Sequence, residues 1–214
     1  MKNNLPPREF RILKRLKTPA KIQDFLNTIK INFEEDGDTS LSPMSVLERG
    51  VCHCAEGAIL AALALRVNGY PPLVLDLTAN KNDFDHVVAV FKKDGKWGAI
   101  SKTNHAVLRY REPVYGSIRE LVMSYFHEYF DDQGRKNLRS FSRPVNLKRF
   151  DRRGWMTTKE EVDYIIEYLA DVKHFPIINR KQIRNLKKAD PIEIKAGLLV
   201  DWKEKNNPMP EGRD

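Results

Sequence analysis

Residues 50–58 read GVCHCAEGA and place two cysteines on either side of a histidine, just before an alanine-rich apolar run. Three kinds of chemistry could use such a segment: metal binding, dithiol redox exchange, or attack by a thiolate. Zinc sites and dithiol redox sites both favour Cys-x-x-Cys spacing. Cys52 and Cys54 are separated by one residue, and the chain has no other cysteine. The spacing therefore favours a thiolate nucleophile over a metal site or a redox pair.

The location of the two thiols at the start of a helix gives a physical reason for reactivity. Gly50 provides a turn, and the run CAEGAILAALALRVNGY is apolar on nearly every face, which predicts a buried helix ended by Asn68-Gly69. Free N–H groups and the dipole at a helix N-terminus lower the pKa of a thiol and can stabilise an oxyanion. Glu56, in the first turn, is interpreted as a favourable partner of that dipole.

A thiolate nucleophile needs a base, and the chain offers five histidines. His86 opens the predicted strand HVVAVFK, which directly follows the polar loop NKNDFD. A residue at that position can face a cleft while the strand fixes its backbone. His53 is expected to point away from the thiols. The less regular or helical contexts of the other histidines suit the role less well; these are His105, His127 and His174. His86 is therefore the predicted base.

The surrounding elements predict an α+β fold. LVLDLT (73–78), HVVAVFK (86–92) and KWGAIS (96–101) are typical of strands, the last two joined by a hairpin turn at Asp94-Gly95. Helices capped by Thr18 and Ser42 are expected before these strands, and helices over 116–130 and 157–172 after them. Three regions follow: a basic N-terminal arm (1–17), a core domain (18–134), and a basic, mainly helical extension packed on the core (135–214).

The order of these features resembles the transglutaminase-like superfamily of papain-type cysteine enzymes over roughly residues 20–104. In bacterial members a glycine-rich turn leads to Cys, then x-x-x-Ala, then an apolar helix with Arg and x-x-Gly. A strand, a loop, His, a second strand, a Gly-containing hairpin and a Trp follow. The matching positions here are Cys54, Ala58, Arg66, Gly69, His86, Gly95 and Trp97. Cys52 does not fit this spacing and is expected to be a small buried neighbour.

The resemblance implies a buried helix packed on an antiparallel sheet, with Cys54 as nucleophile and His86 as base. Cys54 would attack an amide carbonyl and form an acyl-thioester, which water or an amine then resolves. The implied activity is that of a peptidase, amidase or acyltransferase, and the chemistry requires no cofactor.

One position departs from the family pattern. The family usually carries Asp four residues after the Trp, where this chain has Ser101. Ser101 is therefore a candidate for orienting His86, with Asn104 and Thr103 as alternatives. Because a hydroxyl carries no charge, the alternative function is a transglutaminase-like domain with weakened or lost catalysis that serves as a peptide-binding or scaffold module.

Composition and charge bear on the partners. The formal net charge of +8 is uneven: residues 1–134 carry 18 Lys and Arg against 17 Asp and Glu, whereas residues 135–214 carry 19 against 12. The basic residues of the second part are interleaved with acids, which favours a solvated surface over a nucleic-acid site. No apolar run of about 18 residues and no signal-type N-terminus is present, so we expect a cytoplasmic protein without membrane segments. A peptide or protein amide is the expected substrate, and oligomeric state stays open.

Overall fold

The protein is described here from a computed structural model that covers residues 6–34 and 37–202. Its helices are α1 (Pro7–Arg15), α2 (Pro19–Thr28), α3 (Pro43–Arg49), α4 (Cys54–Val67), α5 (Ile118–Met123), α6 (Asp163–Asp171), α7 (Arg180–Arg184) and α8 (Pro191–Gly197), with a 3-10 helix over Leu147–Arg153. Its strands are β1 (Lys30–Ile31), β2 (Val51–Cys52), β3 (Leu73–Ala79), β4 (His86–Lys93), β5 (Lys96–Ser101), β6 (Arg111–Tyr115), β7 (Leu138–Ser142), β8 (Val145–Asn146) and β9 (His174–Pro176). The chain is therefore an α+β protein, as the sequence predicts.

An antiparallel sheet forms the centre of the fold. Six strands follow one another in the order β6-β5-β4-β3-β7-β9, and β8 pairs with the first residues of β3. The hairpin between β4 and β5 turns at Asp94-Gly95, where both residues have positive φ, 49° and 78°. This turn sets Lys93 opposite Lys96 and Val88 opposite Ser101. The register fixes which residues of β5 can reach the first residue of β4.

Helix α4 packs against one face of this sheet, and it is the buried helix that its composition predicts. All of its residues except Cys54 and Arg66 are buried. Arg66 reaches outward and forms a two-pronged ion pair with Asp151, at 2.5 and 2.8 Å. The helix ends at Asn68 and Gly69, and Gly69 adopts a φ of +93° that favours glycine. Because α4 is surrounded by packed neighbours, its first residue is held firmly relative to β4.

The opposite face of the sheet has its own apolar cluster. Leu75 and Leu77 of β3 and Val88 and Val90 of β4 point away from α4. They pack with α5 and with the aromatic residues that follow it, Tyr125, Phe126 and Tyr129. The central strands are thus covered on both sides, which explains why their sequences are almost continuously apolar.

The N-terminal arm contains a helix that packs on the core. Residues 1–5 lie outside the described residues, but α1 packs on α4 with Leu13 fully buried. Lys14 Nζ donates to the carbonyl of Val67 at 3.1 Å, and Asn68 Nδ2 donates to the carbonyl of Leu13 at 2.9 Å. The arm therefore covers the C-terminal end of α4 as part of the core.

The region 135–214 also differs from the expected helical extension. Strand β7 pairs with β3 inside the central sheet and β9 pairs with β7, so the boundary at 134/135 does not separate two layers. The helix predicted over 157–172 begins only at Asp163. The preceding residues are held by another loop, because Val162 N–H donates to Ser40 O and Ser42 Oγ donates to Thr158 O. Residues 203–214 lie outside the described residues.

The helix predicted over 116–130 is short, since α5 ends at Met123. The following residues turn away instead of continuing the helix, and the hydroxyl of Tyr129 donates to Phe84 O at 2.5 Å. Within residues 6–34 and 37–202, no helix combines the length and the apolar character needed to cross a membrane.

Substitution of Gly57 tests how tightly α4 is packed against β5. An added methyl group would lie 2.6 Å from Lys102 Cβ and 3.4 Å from Cys52 Sγ. We expect Gly57→Ala to lower the free energy of unfolding by about 1–3 kcal/mol, the usual cost of overpacking. Urea unfolding of wild type and Gly57→Ala measures this change in the free energy of unfolding. A gain of about 1 kcal/mol, the value that helix propensity alone would give, would contradict close packing at this point.

Candidate active site

Cys54 occupies the first position of α4 because of a turn and a short strand. Gly50 ends α3 with a φ of +70°, and Val51–Cys52 then pair with β1 in parallel. This pairing turns Cys52 into the core, where it is fully buried, and leaves Cys54 partly exposed. The Cys54 sulfur lies 4.0 Å from the carbonyl oxygen of Asp85, the residue before His86. The helix N-terminus and the start of β4 are therefore adjacent.

His86 is buried, and its ring is oriented by Ser101. Its Nε2 lies 2.8 Å from Ser101 Oγ. The Ser101 hydroxyl donates its proton to the carbonyl oxygen of Leu108 at 2.5 Å, so towards His86 it can only accept. Nε2 therefore carries a hydrogen, and Nδ1 of the neutral ring is free to accept one. This is the tautomer that a base needs.

The thiol of Cys54 is strongly activated. Burial alone would raise its pKa, but hydrogen bonding and charge from the rings of His53 and His86 outweigh it and lower the pKa of Cys54 to about 5. Cys52 behaves in the opposite way, because burial raises its pKa to about 12. At neutral pH Cys54 is thus a thiolate, whereas Cys52 stays a protonated, unreactive thiol. The two cysteines therefore differ in reactivity although they are close in sequence.

The other candidates for the third position lie elsewhere. Asn104 uses its side-chain amide on Trp202, accepting from the N–H and donating to the carbonyl, both at 2.9 Å. Thr103 Oγ1 accepts from the backbone N–H of His105 at 3.1 Å. Of the three residues proposed from the sequence, Ser101 is the one in hydrogen-bond contact with the His86 ring.

His53 takes a different role from the one the sequence suggested. It caps α4: its Nδ1 accepts from Ala55 N–H at 3.2 Å, and its Nε2 lies 2.9 Å from Thr39 O. Burial lowers the pKa of His53, but hydrogen bonding with Cys54 and the charge of Glu56 raise it to about 9. The cap therefore belongs to the neutral ring, and protonation of His53 releases the Ala55 N–H while Nε2–H stays on Thr39 O. The sequence feature that could have predicted this role is the position of His53, directly before the cysteine that begins the helix.

Glu56 does more than face a helix dipole. Its carboxylate is almost fully buried and accepts hydrogen bonds from the N–H of His53 at 2.8 Å, the N–H of Leu41 at 2.9 Å and the hydroxyl of Thr39 at 2.7 Å. It therefore ties the loop before α3 to the first turn of α4. The loop in turn supplies the Thr39 carbonyl that contacts His53.

A cleft with a volume of about 750 Å³ opens over these side chains. Cys54 and His86 lie in its wall together with Lys102 and Thr103, which follow β5. Further parts of the wall come from residues 31–33, the loop 82–85, residues 104–108 and 128–135, and α8 with Leu198. This space can take a ligand the size of a short peptide segment.

Within the described part of the chain, no three or more His, Cys, Asp or Glu side chains converge in a way that would hold a metal ion. The reactive group that the geometry offers is the thiolate.

Substitution of Glu56 tests its role in positioning the site. Glu56→Gln replaces one acceptor oxygen by an NH₂ group, which would face N–H or hydroxyl donors. We expect a loss of about 1–3 kcal/mol in the free energy of unfolding, the cost of unsatisfied buried donors. Glu167→Gln on the exposed side of α6 removes the same charge and should stay within about 0.5 kcal/mol of wild type. Equal stability of the two variants in urea unfolding would show that the network is unimportant.

Comparison with known proteins leaves the site unassigned. No protein-family model matches the chain, and no curated protein matches it. What the cleft can do chemically follows from its own side chains: a thiolate at a helix N-terminus, an imidazole in the accepting tautomer, and a hydroxyl that fixes that tautomer.

Proposed function

We propose that this protein is a thiol-dependent enzyme of transglutaminase-like type that acts on amide bonds of peptides or proteins. Cys54 is the nucleophile, His86 the general base and acid, and Ser101 the residue that orients His86. The observation that carries the proposal is the chain of contacts from Leu108 O through Ser101 Oγ to His86 Nε2, which prepares the ring to receive the thiol proton.

In the resting site the Cys54 proton has already passed to His86 Nδ1, which leaves a thiolate beside an imidazolium. The thiolate then attacks the amide carbonyl, and the C–S bond forms as the carbonyl π electrons move to oxygen. The imidazolium returns the proton to the leaving nitrogen, the C–N bond breaks, and an acyl-thioester remains on Cys54. Water resolves it by hydrolysis, or an amine resolves it by acyl transfer, with His86 again accepting the proton.

The helix N-terminus supplies stabilisation for the oxyanion. Gly57 N–H is engaged by the carbonyl of His53, and Ala55 N–H is engaged by His53 Nδ1 while that ring is neutral. The backbone N–H of Cys54 itself lies at the first helical position, where the helix offers no internal acceptor. It belongs to the same residue as the reacting sulfur and lies at the positive end of the helix dipole.

A second candidate is a peptide-binding module with the same cleft and little or no turnover. The observation in its favour is the neutral hydroxyl of Ser101 beside His86, since a hydroxyl orients imidazolium without offsetting its charge. Both functions use the cleft for an extended amide-containing ligand, and they differ in whether Cys54 is acylated.

The proposed chemistry needs a free thiol, and both cysteines are free in the structure. A reducing compartment such as the cytoplasm would keep them so. Neither a nucleic acid nor a cofactor has a part in the proposed reaction.

The pH dependence of Cys54 alkylation tests the proposal. With iodoacetamide and mass mapping of the modified thiol, the rate should reach its plateau above a midpoint of about 5, because the thiolate is present above its pKa and lost below it. In His86→Ala the midpoint should rise toward the ordinary value of 9.0. Cys52→Ala is the control and should leave the midpoint unchanged. A midpoint near 9.0 that is the same in wild type and in His86→Ala would favour the binding module.

Removal of the Ser101 hydroxyl tests the orientation of His86. In Ser101→Ala, His86 Nε2 loses its acceptor, and the ring is free to rotate or change tautomer. We expect alkylation at pH 5 to slow roughly two- to tenfold, as for the loss of one hydrogen bond. Ser140→Ala on β7 serves as the matched control, with no change expected. Identical rates in both variants would argue against a role for Ser101.

A further inference from the structure

The last described residues form an added strand next to the site. Leu199 O accepts from Ala106 N–H at 3.0 Å, Asp201 N–H donates to Asn104 O at 2.9 Å, and Val200 lies opposite His105 in an antiparallel bridge. The Asn104 side chain extends this pairing by both of its bonds to the main chain of Trp202. We name residues 199–202 the C-terminal strand and residues 104–106 the docking strip.

These hydrogen bonds would fit almost any extended peptide. Each of these hydrogen bonds is made to a main-chain group of the C-terminal strand, and none is made to a side chain of residues 199–202. Binding of a peptide as an additional strand works in this way, with main-chain hydrogen bonds giving affinity and side-chain pockets giving specificity. The Asn104 amide adds a donor and an acceptor at the spacing of a peptide unit.

The docking strip is continuous with the catalytic residues. Ser101, which holds His86, lies three positions before Asn104 on the same chain segment. The cleft that contains Cys54 is also lined by Thr103, Asn104 and His105. The wall also includes Ile194, Gly197 and Leu198, which lead directly into the C-terminal strand, and Gly197 O lies 2.9 Å from His105 Nδ1. A peptide that followed the docking strip would therefore arrive at Cys54.

Few buried apolar contacts hold the C-terminal strand. Helix α8, which precedes it, has no buried residue, and Leu199 is 63% exposed. The ion pair between Asp201 and Arg109, at 2.7 Å, is partly exposed, so solvent screening limits its contribution. The clearest side-chain contact is Trp202 with the Lys102 ammonium, 4.4 Å from the ring centroid. Segments with few buried apolar contacts are those that open locally.

From this geometry we infer that the docking strip binds the extended backbone of a peptide substrate, and that the C-terminal strand occupies it as an internal competitor. This inference rests on the proposed function of Cys54 and adds the substrate form and a means of regulation. Release of residues 199–202 exposes the strip, and an extended peptide replaces their main-chain hydrogen bonds.

The test compares two alkylating agents on full-length variants. A neutral peptidyl chloromethyl ketone, acetyl-Leu-Val-chloromethyl ketone, needs the docking strip to reach Cys54; its carbon forms the C–S bond as chloride leaves. Iodoacetamide needs only the thiolate. Asp201→Pro removes the N–H that donates to Asn104 O. It should speed reaction with the peptidyl reagent roughly fivefold, the effect of one lost hydrogen bond, and leave the iodoacetamide rate unchanged.

Asp201→Ala is the matched control, because it removes the ion pair but keeps the backbone N–H. It should react like wild type. A blocked Leu-Val-Asp-Trp peptide added to Asp201→Pro should slow the peptidyl reagent without affecting iodoacetamide. If the proline variant does not fold, Trp202→Ala, which removes the ring over Lys102, should give a smaller change in the same direction.

Two failures can be told apart. A wild-type Cys54 that reacts with iodoacetamide only near pH 9.0 would overturn the proposed function. An activated Cys54 whose reaction with the peptidyl reagent is the same in wild type, Asp201→Pro and Trp202→Ala would overturn the docking strip alone.

Discussion

The site depends on how the N-terminus of one buried helix is satisfied. Helix α4 lies inside the core, so its first N–H groups cannot all turn to water. The Glu56 carboxylate and the His53 ring accept hydrogen bonds there, and Glu56 also binds the loop at residues 39–41. Once this network is made, Cys54 has a fixed position at the edge of the core. The neighbouring strand β4 begins beside it, with Asp85 O 4.0 Å from the Cys54 sulfur and His86 as the first strand residue.

Much of the site followed from local patterns in the sequence. The apolar run after Cys54, the Asn68-Gly69 stop and the Asp94-Gly95 turn each determine their element with little help from the rest of the chain. Because the hairpin register follows from its turn, the proximity of Ser101 and His86 was also within reach. What remained open was the choice among Ser101, Thr103 and Asn104, since it depends on the loop after β5. That loop brings Leu108 O to the Ser101 hydroxyl and sends Asn104 toward Trp202.

Other features could not be inferred because they depend on partners far away in sequence. The first turns of the predicted helix over 157–172 are missing because residues near 40 take up the main-chain groups between Thr158 and Val162. The role of His53 depends on the Thr39 carbonyl, which local sequence does not place. Strand β7 joins the sheet beside β3 across about 60 residues of chain. In each case the local pattern was outweighed by a contact that only the folded chain provides.

The two neighbouring cysteines have a consequence for redox chemistry. Cys52 lies in the core on β2 and Cys54 at the surface end of α4, so the pair straddles the boundary between strand and helix. Residues this close can form a disulfide only with a distorted backbone, and here the first turn of α4 would have to unwind. Oxidants in solution can therefore reach Cys54 but not Cys52. A sulfenic acid formed on Cys54 therefore needs a thiol from another molecule to form a disulfide, because the Cys52 thiol is buried in the core.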